Sequence, residues 1–209
     1  MAMPGREQFR SAVLRYVEVP GARLLRSVGL TPNIITLLGF AVSVAAAVLV
    51  AAGWLLAGGI VFLIGGALDL FDGALARLSG KTSPFGALLD SVFDRLGEAA
   101  LFVGLAVYGL RAGYRDDFLL LFQAVLLLAL IFSQGVSYLR ARGEGLGVFT
   151  RAGLMTRPER VVILGAGVII QSLAGFPVMF WVLLAIAAVS CYTLFQRMFT
   201  IRKLLDEDG

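Results

Sequence analysis

The stretch that decides both the fold and the chemistry is DLFDGALARLSGKTSPFGALLDSVFD, which runs from Asp69 to Asp94. Its 26 residues carry four carboxylates in a largely apolar sequence, on Asp69, Asp72, Asp90 and Asp94. A charged Asp at bilayer depth costs at least about 2.5 kcal/mol on insertion scales, so four of them require cationic partners and water. The stretch therefore predicts a polar site enclosed by apolar helices.

Helical spacing places these acids on two stripes. One helix face carries residues spaced i, i+3, i+4, i+7 and i+8, namely Asp69, Asp72, Gly73, Ala76 and Arg77. A second face repeats every four residues through Gly86, Asp90 and Asp94. The linker from Ser79 to Pro84 is short and contains turn-forming residues, which favours two antiparallel neighbouring helices. We therefore expect the two acidic stripes to face each other.

Composition predicts a membrane protein. Of the 209 residues 59% are hydrophobic and only 15% are charged, and the mean hydropathy is +0.89; these values lie outside the soluble globular range. A membrane-spanning helix needs about 20 apolar residues. Six stretches qualify: Ile34 to Trp54, Gly58 to Ala76, Phe85 to Leu110, Phe118 to Leu139, Val161 to Leu173 with its flanks, and Phe176 to Phe199. We expect an all-α integral membrane protein with six transmembrane helices and a single domain over residues 1–209.

The basic residues predict the orientation. Five arginines precede the first span, whereas the loops on the opposite side carry only Arg111 and Arg115, which Asp116 and Asp117 balance. By the positive-inside rule both termini are cytoplasmic, and the site opens to the cytoplasm from the cell membrane. Within the cytoplasmic segment 1–30, the spacing from Gln8 to Tyr16 predicts an amphipathic helix on the membrane surface, with an ordinary solvated helix as the alternative.

The residue types restrict the chemistry. The sequence has no histidine and a single cysteine, which excludes the usual zinc sites and a histidine base. Carboxylate oxygens suit Mg²⁺ or Mn²⁺, which proteins commonly share with substrate phosphates. An adjacent Arg77 offers a fork for an anionic oxygen. Two metal ions, carboxylates and an arginine are typical of phosphoryl and phosphodiester transfer, for which Asp94 is the candidate base.

The pattern D-x2-D-G-x2-A-R-x8-G-x3-D-x3-D fits residues 69–94 without a departure and resembles the signature of the CDP-alcohol phosphotransferase family. The resemblance implies metal ligands at Asp69, Asp72, Asp90 and Asp94, with Asp94 also serving as base. It implies a cytidine pocket and a diphosphate contact formed by Gly73, Ala76, Gly86 and Arg77. An acceptor hydroxyl would attack the β-phosphorus of a CDP-linked lipid, CMP would leave, and the enzyme would be a homodimer among membrane lipids, with no nucleic-acid partner.

The later arginines bear on the acceptor. Five of them gather at the cytoplasmic ends of the last three spans and suit a phosphorylated alcohol: Arg140, Arg142, Arg157, Arg160 and Arg197. The strings SYLRARGEG (137–145), RPER (157–160) and DSVFDR (90–95) are similar to the bacterial and archaeal family members that use inositol phosphate, although a Lys commonly stands at position 140 there. That resemblance implies an acceptor-phosphate site of Arg140, Arg160 and Arg197, with Arg202 as an alternative to Arg197.

Several alternatives stay open at this point. Glycerol 3-phosphate needs the same anion pocket as inositol phosphate, and the donor could carry ester-linked or ether-linked chains. Positive-inside topology alone explains Arg142, Arg151 and Arg157 equally well. A cation transporter would also place Asp residues inside the membrane, but it predicts acids reaching the midplane from both sides. A non-catalytic assembly protein would leave four costly carboxylates without a purpose.

Overall fold

The structure, a computed structural model, describes residues 30–79, 83–150 and 153–207, apart from the side chains of residues 70, 72, 73 and 76–79. The described residues form six helices: α1 Pro32–Ala51, α2 Leu55–Ser79, α3 Pro84–Arg111, α4 Asp116–Gly145, α5 Arg157–Leu173 and α6 Val178–Glu207. Each predicted apolar stretch corresponds to one helix, which confirms the all-α class. The predicted surface helix at Gln8 to Tyr16 lies outside the described residues.

Two helices continue well past their predicted ends. The apolar pattern predicts that the fourth stretch ends at Leu139 and the sixth at Phe199, whereas α4 continues to Gly145 and α6 to Glu207. Oppositely charged pairs four residues apart support these polar ends; they are Arg140 with Glu144, Arg202 with Asp206, and Lys203 with Glu207. Hydropathy therefore detects the apolar part of a helix and misses its charged extension.

Three of the helices, α1, α4 and α6, are long and apolar enough to cross a membrane. The described apolar part of α2 is the shorter Leu55–Asp69, and α5 has only 17 residues. Between positions 90 and 98, α3 carries four charged residues: Asp90, Asp94, Arg95 and Glu98. By length and composition, the described residues of α2, α3 and α5 thus match a membrane span less well than α1, α4 and α6 do. The outer surface is apolar, with Leu120 75% and Trp181 60% exposed, as expected for a protein that contacts lipid.

Helix α1 packs closely against both α2 and α3, which make only sparse contact with each other. The short linker predicts that α2 and α3 are direct neighbours, and the structure corrects this by placing α1 against both. Small residues allow the close approach: a Cβ on Gly104 of α3 would lie 2.5 Å from the Ala47 carbonyl oxygen of α1. A Cβ on Gly65 of α2 would lie 3.4 Å from the Gly39 carbonyl oxygen. Helix α1 therefore sets the spacing of the two acid-bearing helices.

A proline is the first or second residue of α1, α3 and α5. Thr31 is the N-cap of α1, and Pro32 occupies its first turn. Ser83 is the N-cap of α3, and its Oγ accepts a hydrogen bond from the Gly86 amide at 3.0 Å. At α5 the Glu159 carboxylate accepts a hydrogen bond from the Thr156 amide at 3.0 Å. These local interactions fix the helix ends from which the charged side chains project.

The α1–α3 contact gives a stability prediction. We expect Gly104→Ala to lower stability by about 1–3 kcal/mol, because the new methyl group meets backbone atoms that cannot rotate away. Gly145→Ala is the control, since a Cβ there meets nothing within 4 Å. Thermal unfolding of both variants in detergent measures the difference, and equal midpoints would contradict the close packing.

Candidate active site

Carboxylates from α2 and α3 converge on one guanidinium. Arg157, the first residue of α5, donates from Nη2 to Asp69 Oδ2 at 2.6 Å and from Nη1 to Asp94 Oδ2. All three side chains are largely buried, with 16–23% of their surface exposed. One carboxylate from each predicted acidic stripe thus contacts the same cation.

The donor atoms at this position fit a divalent metal ion. Asp69 and Asp94 already place oxygens around a positive charge, and Asp90 lies one turn before Asp94 on α3. A Cβ on Gly39 would lie 2.9 Å from Asp69 Oδ1, so a side chain there would crowd the carboxylate. The Asp72 side chain lies outside the described part of the chain, and no three acidic side chains within that part form a metal-binding group. The oxygen-only chemistry suits Mg²⁺ or Mn²⁺.

A cavity of about 380 Å³ adjoins these carboxylates and is bounded by α3, α4, α5 and α6. Its charged lining comprises three acids and five arginines: Asp90, Asp94, Glu144, Arg95, Arg140, Arg157, Arg160 and Arg197. The candidate base Asp94 and all three predicted acceptor-site arginines therefore line one space. Such a volume is in the range of small-molecule sites.

The three predicted arginines differ in their surroundings. Arg160 is fully buried, and Arg197 is buried and donates from Nη1 to the Val136 carbonyl oxygen at 2.9 Å. Arg140 is 62% exposed at the rim and pairs with Glu144 at 3.0 Å. Arg202, the alternative to Arg197, is 77% exposed and pairs with Asp206. Since Arg197 lines the cavity and Arg202 does not, the geometry favours Arg197.

The sequence-based prediction does not include the contacts of two charged residues of this site. Arg157 belongs to the predicted arginine cluster with membrane topology as an equal explanation, although it lies three residues before Arg160 and so shares its helix face. Glu98 forms a two-pronged ion pair with Arg160, with Nε to Oε1 at 2.6 Å and Nη2 to Oε2 at 2.9 Å. A signal for Glu98 was present, because it continues the four-residue repeat one turn beyond Asp94. The repeat alone could not show which cation it meets.

The predicted nucleotide side is described in part. A Cβ on Gly86 would lie 3.1 Å from Ser83 Oγ and 3.3 Å from Asn33 Oδ1, so glycine keeps this position open. Asn33 follows the Pro32 start of α1 and brings a polar group to the beginning of α3. The other three residues predicted for the nucleotide side lie on a part of α2 whose side chains the structure does not describe; they are Gly73, Ala76 and Arg77.

The chain is similar to known proteins over most of its length. Residues 29–191 match the CDP-alcohol phosphatidyltransferase family. The chain is 38% identical over 199 residues to phosphatidylinositol phosphate synthase of Mycobacterium marinum, covering 92% of this chain and 82% of the relative. It is 34% identical over 195 residues to archaetidylinositol phosphate synthase of Methanothermobacter thermautotrophicus, covering 91% of each.

Solved structures show the same fold. The crystal structure of Mycobacterium tuberculosis phosphatidylinositol phosphate synthase with CDP-DAG bound matches with a TM-score of 0.77 at 35% identity, covering 88% of this chain and 93% of that one. The complex of that enzyme with manganese and citrate gives a TM-score of 0.78 at 35% identity, covering 88% of each chain. The motif, the fold and these matches lead to one conclusion: the chain is a member of the CDP-alcohol phosphatidyltransferase family.

Proposed function

We propose that this enzyme transfers a phosphatidyl-type group from a CDP-linked lipid to a hydroxyl of inositol phosphate and releases CMP, in phospholipid biosynthesis. The observation that carries the proposal is the cavity that Asp94 lines together with Arg140 of α4, Arg160 of α5 and Arg197 of α6. Relatives named for inositol-phosphate products and a related structure with CDP-DAG bound support it.

Asp69, Asp72, Asp90 and Asp94 would hold two Mg²⁺ or Mn²⁺ ions, and a related structure contains manganese. Bound metal would stabilise the negative charge that develops on the diphosphate oxygens. The chain also supplies a positive charge of its own, because the Arg157 guanidinium forms ion pairs with Asp69 and Asp94. It reduces the repulsion between two carboxylates that lie close together in a poorly solvated place. On the nucleotide side, Gly73, Ala76 and Gly86 would line the cytidine pocket, and Arg77 would contact the diphosphate.

The arginines of the cavity would hold the acceptor phosphate so that a ring hydroxyl is directed at Asp94. The Asp94 carboxylate takes the hydroxyl proton while the hydroxyl oxygen forms a bond to the β-phosphorus. The bond between that phosphorus and the CMP oxygen breaks, and CMP leaves with the bonding electrons. Holding both substrates in one cavity supplies the orientation that the displacement requires.

The same proposal includes the membrane arrangement. Six spans, cytoplasmic termini and a cytoplasmic opening follow from the basic residues that flank the helices, and the active form would be a homodimer. Relatives with phosphatidyl and archaetidyl products leave the donor chain type open. A transporter is disfavoured, because the chain belongs to an enzyme family.

Glycerol 3-phosphate is the competing acceptor, and one assay separates the two. Purified protein is incubated with Mg²⁺, CDP-diacylglycerol and inositol phosphate, glycerol 3-phosphate or free inositol, and released CMP is measured. We expect inositol phosphate to give the highest kcat/KM and free inositol little CMP, because the arginines bind phosphate. Preferential use of glycerol 3-phosphate would assign the other acceptor, and no CMP with any acceptor would contradict the proposal.

The two bridged carboxylates give a matched pair of variants. Both Asp94→Asn and Asp69→Asn lose one charged contact to Arg157. We expect Asp94→Asn to lower kcat about 10²- to 10⁴-fold by removing the base, while retaining more CDP-lipid binding than Asp69→Asn, because Asp94 serves chiefly as the base and Asp69 only as a metal ligand. Titration calorimetry with the CDP-lipid measures binding, and equal losses in both variants would refute this division of roles.

The rim arginine has a natural control elsewhere on the surface. Arg140 and Arg202 are both exposed and each pairs with an acid four residues later, but only Arg140 lines the cavity. We expect Arg140→Ala to raise the acceptor KM about tenfold, the equivalent of about 1.4 kcal/mol, and Arg202→Ala to leave it unchanged. Steady-state kinetics measures the acceptor KM of both variants. Equal values would contradict this expectation and leave Arg140 with a role in topology only.

A further inference from the structure

A buried ion pair anchors the deepest arginine of the cavity. The side chains of Glu98 on α3 and Arg160 on α5 are both 0% exposed. Glu98 accepts from Nε at 2.6 Å and from Nη2 at 2.9 Å, and Ser137 Oγ accepts from Nη2 at 3.2 Å. These contacts come from α3 and α4 and hold the plane of the guanidinium. The orientation of Arg160 is therefore fixed before any ligand enters.

The third nitrogen of Arg160 is in a different situation. Its Nη1 is buried and has no hydrogen-bond partner among the described residues, and Arg160 is one of the residues that line the cavity. A buried N–H group without an acceptor is unfavourable unless a ligand supplies one. A phosphate oxygen of the acceptor provides the charge and the geometry that this nitrogen lacks.

Stability alone is a weak reason for such a pair. Removing two charges from water is unfavourable, and well-packed apolar residues commonly stabilise a protein equally well. What the pair supplies is a cationic fork that is already oriented, so that less conformational entropy is lost on binding. Arg140 lacks this support, because it is exposed and its partner Glu144 lies on the same helix.

We propose that Glu98 is a positioning residue that fixes Arg160 with Nη1 directed at the acceptor phosphate and thereby sets the affinity for the phosphorylated acceptor. This inference rests on the proposed function, because it assigns a residue to that acceptor site. Glu98 acts through Arg160 and contacts neither substrate. One face of α3 then carries both the candidate base and the residue that positions the acceptor-site arginine. That face presents Asp90, Asp94 and Glu98 at intervals of one turn.

The first test is Glu98→Gln, which keeps the shape but turns one accepting oxygen into a donor facing Nη2. We expect the acceptor KM to rise about tenfold, whereas the CDP-lipid KM stays within about twofold. Inhibition by inorganic phosphate, competitive with the acceptor, should weaken by a similar factor. Asp206→Asn is the control, since Asp206 pairs with Arg202 outside the cavity. Equal increases in both KM values would indicate a merely structural role and overturn the proposal.

A double-mutant cycle tests whether Glu98 acts through Arg160. In an Arg160→Gln background, Glu98→Gln should leave the acceptor KM unchanged, because the group that it positions is absent. The same fold increase in both backgrounds would show an independent action and refute the inference. If Glu98→Gln does not fold, Glu98→Asp replaces it, because it keeps the charge but is too short for the two-pronged contact.

Failure of the proposed acceptor is distinguishable from failure of this inference. Wild-type protein is assayed first to find a phosphorylated acceptor that releases CMP. The variants are then compared with the wild type using that acceptor. If none does, binding of inorganic phosphate by calorimetry gives the same comparison without turnover. Weaker phosphate binding by Glu98→Gln would support the positioning role even then, and unchanged phosphate binding would contradict it.

Discussion

The structure depends on one ionic contact, in which carboxylates from two helices bind the same guanidinium. Asp69 and Asp94 lie on different helices, and both contact Arg157. In an apolar bundle, two nearby carboxylates repel strongly unless a cation lies between them. This requirement explains why the arginine at the start of α5 is drawn to α2 and α3. The carboxylate oxygens that contact the guanidinium are also the type of ligand that a divalent ion prefers.

The packing of small residues makes that meeting possible. Gly39 and Gly104 let helix backbones approach closely, and Gly39 also leaves space beside the Asp69 carboxylate. Helix α1 spaces α2 from α3, and the N-capped starts of α3 and α5 fix the ends nearest the site. The exterior is largely apolar, whereas the charged side chains of the site line a cavity that several helices share. Fold and site thus have the same cause, which is the need to keep costly charges together within an apolar bundle.

Much of this arrangement could be predicted from the sequence because it is local. The six helices follow from apolar length, and the two acidic stripes follow from the helical repeat. The positions that could not be predicted depend on tertiary packing. Nothing near Arg157 in the sequence indicates that it meets Asp69, a residue on a helix far earlier in the chain. The short linker suggested direct pairing of α2 and α3, and only the structure shows α1 against both.

Glu98 shows which features the sequence predicts and which depend on tertiary packing. Its position in the repeat is visible in the sequence, but its complete burial and its pairing with Arg160 are not. Burial likewise distinguishes Arg197 from Arg202, which the sequence alone does not. Sequence patterns identify the residues that share a helix face, and packing decides which faces meet.

The central claim is that the facing carboxylates form a divalent-metal site whose position Arg157 overlaps. The most direct measurement is an anomalous difference map from crystals grown with Mn²⁺. The account predicts a peak bounded by Asp69, Asp72, Asp90 and Asp94, with Arg157 withdrawn from at least one of its two carboxylate partners. A map with no peak there at saturating Mn²⁺, and with Arg157 still bridging Asp69 and Asp94, would contradict it.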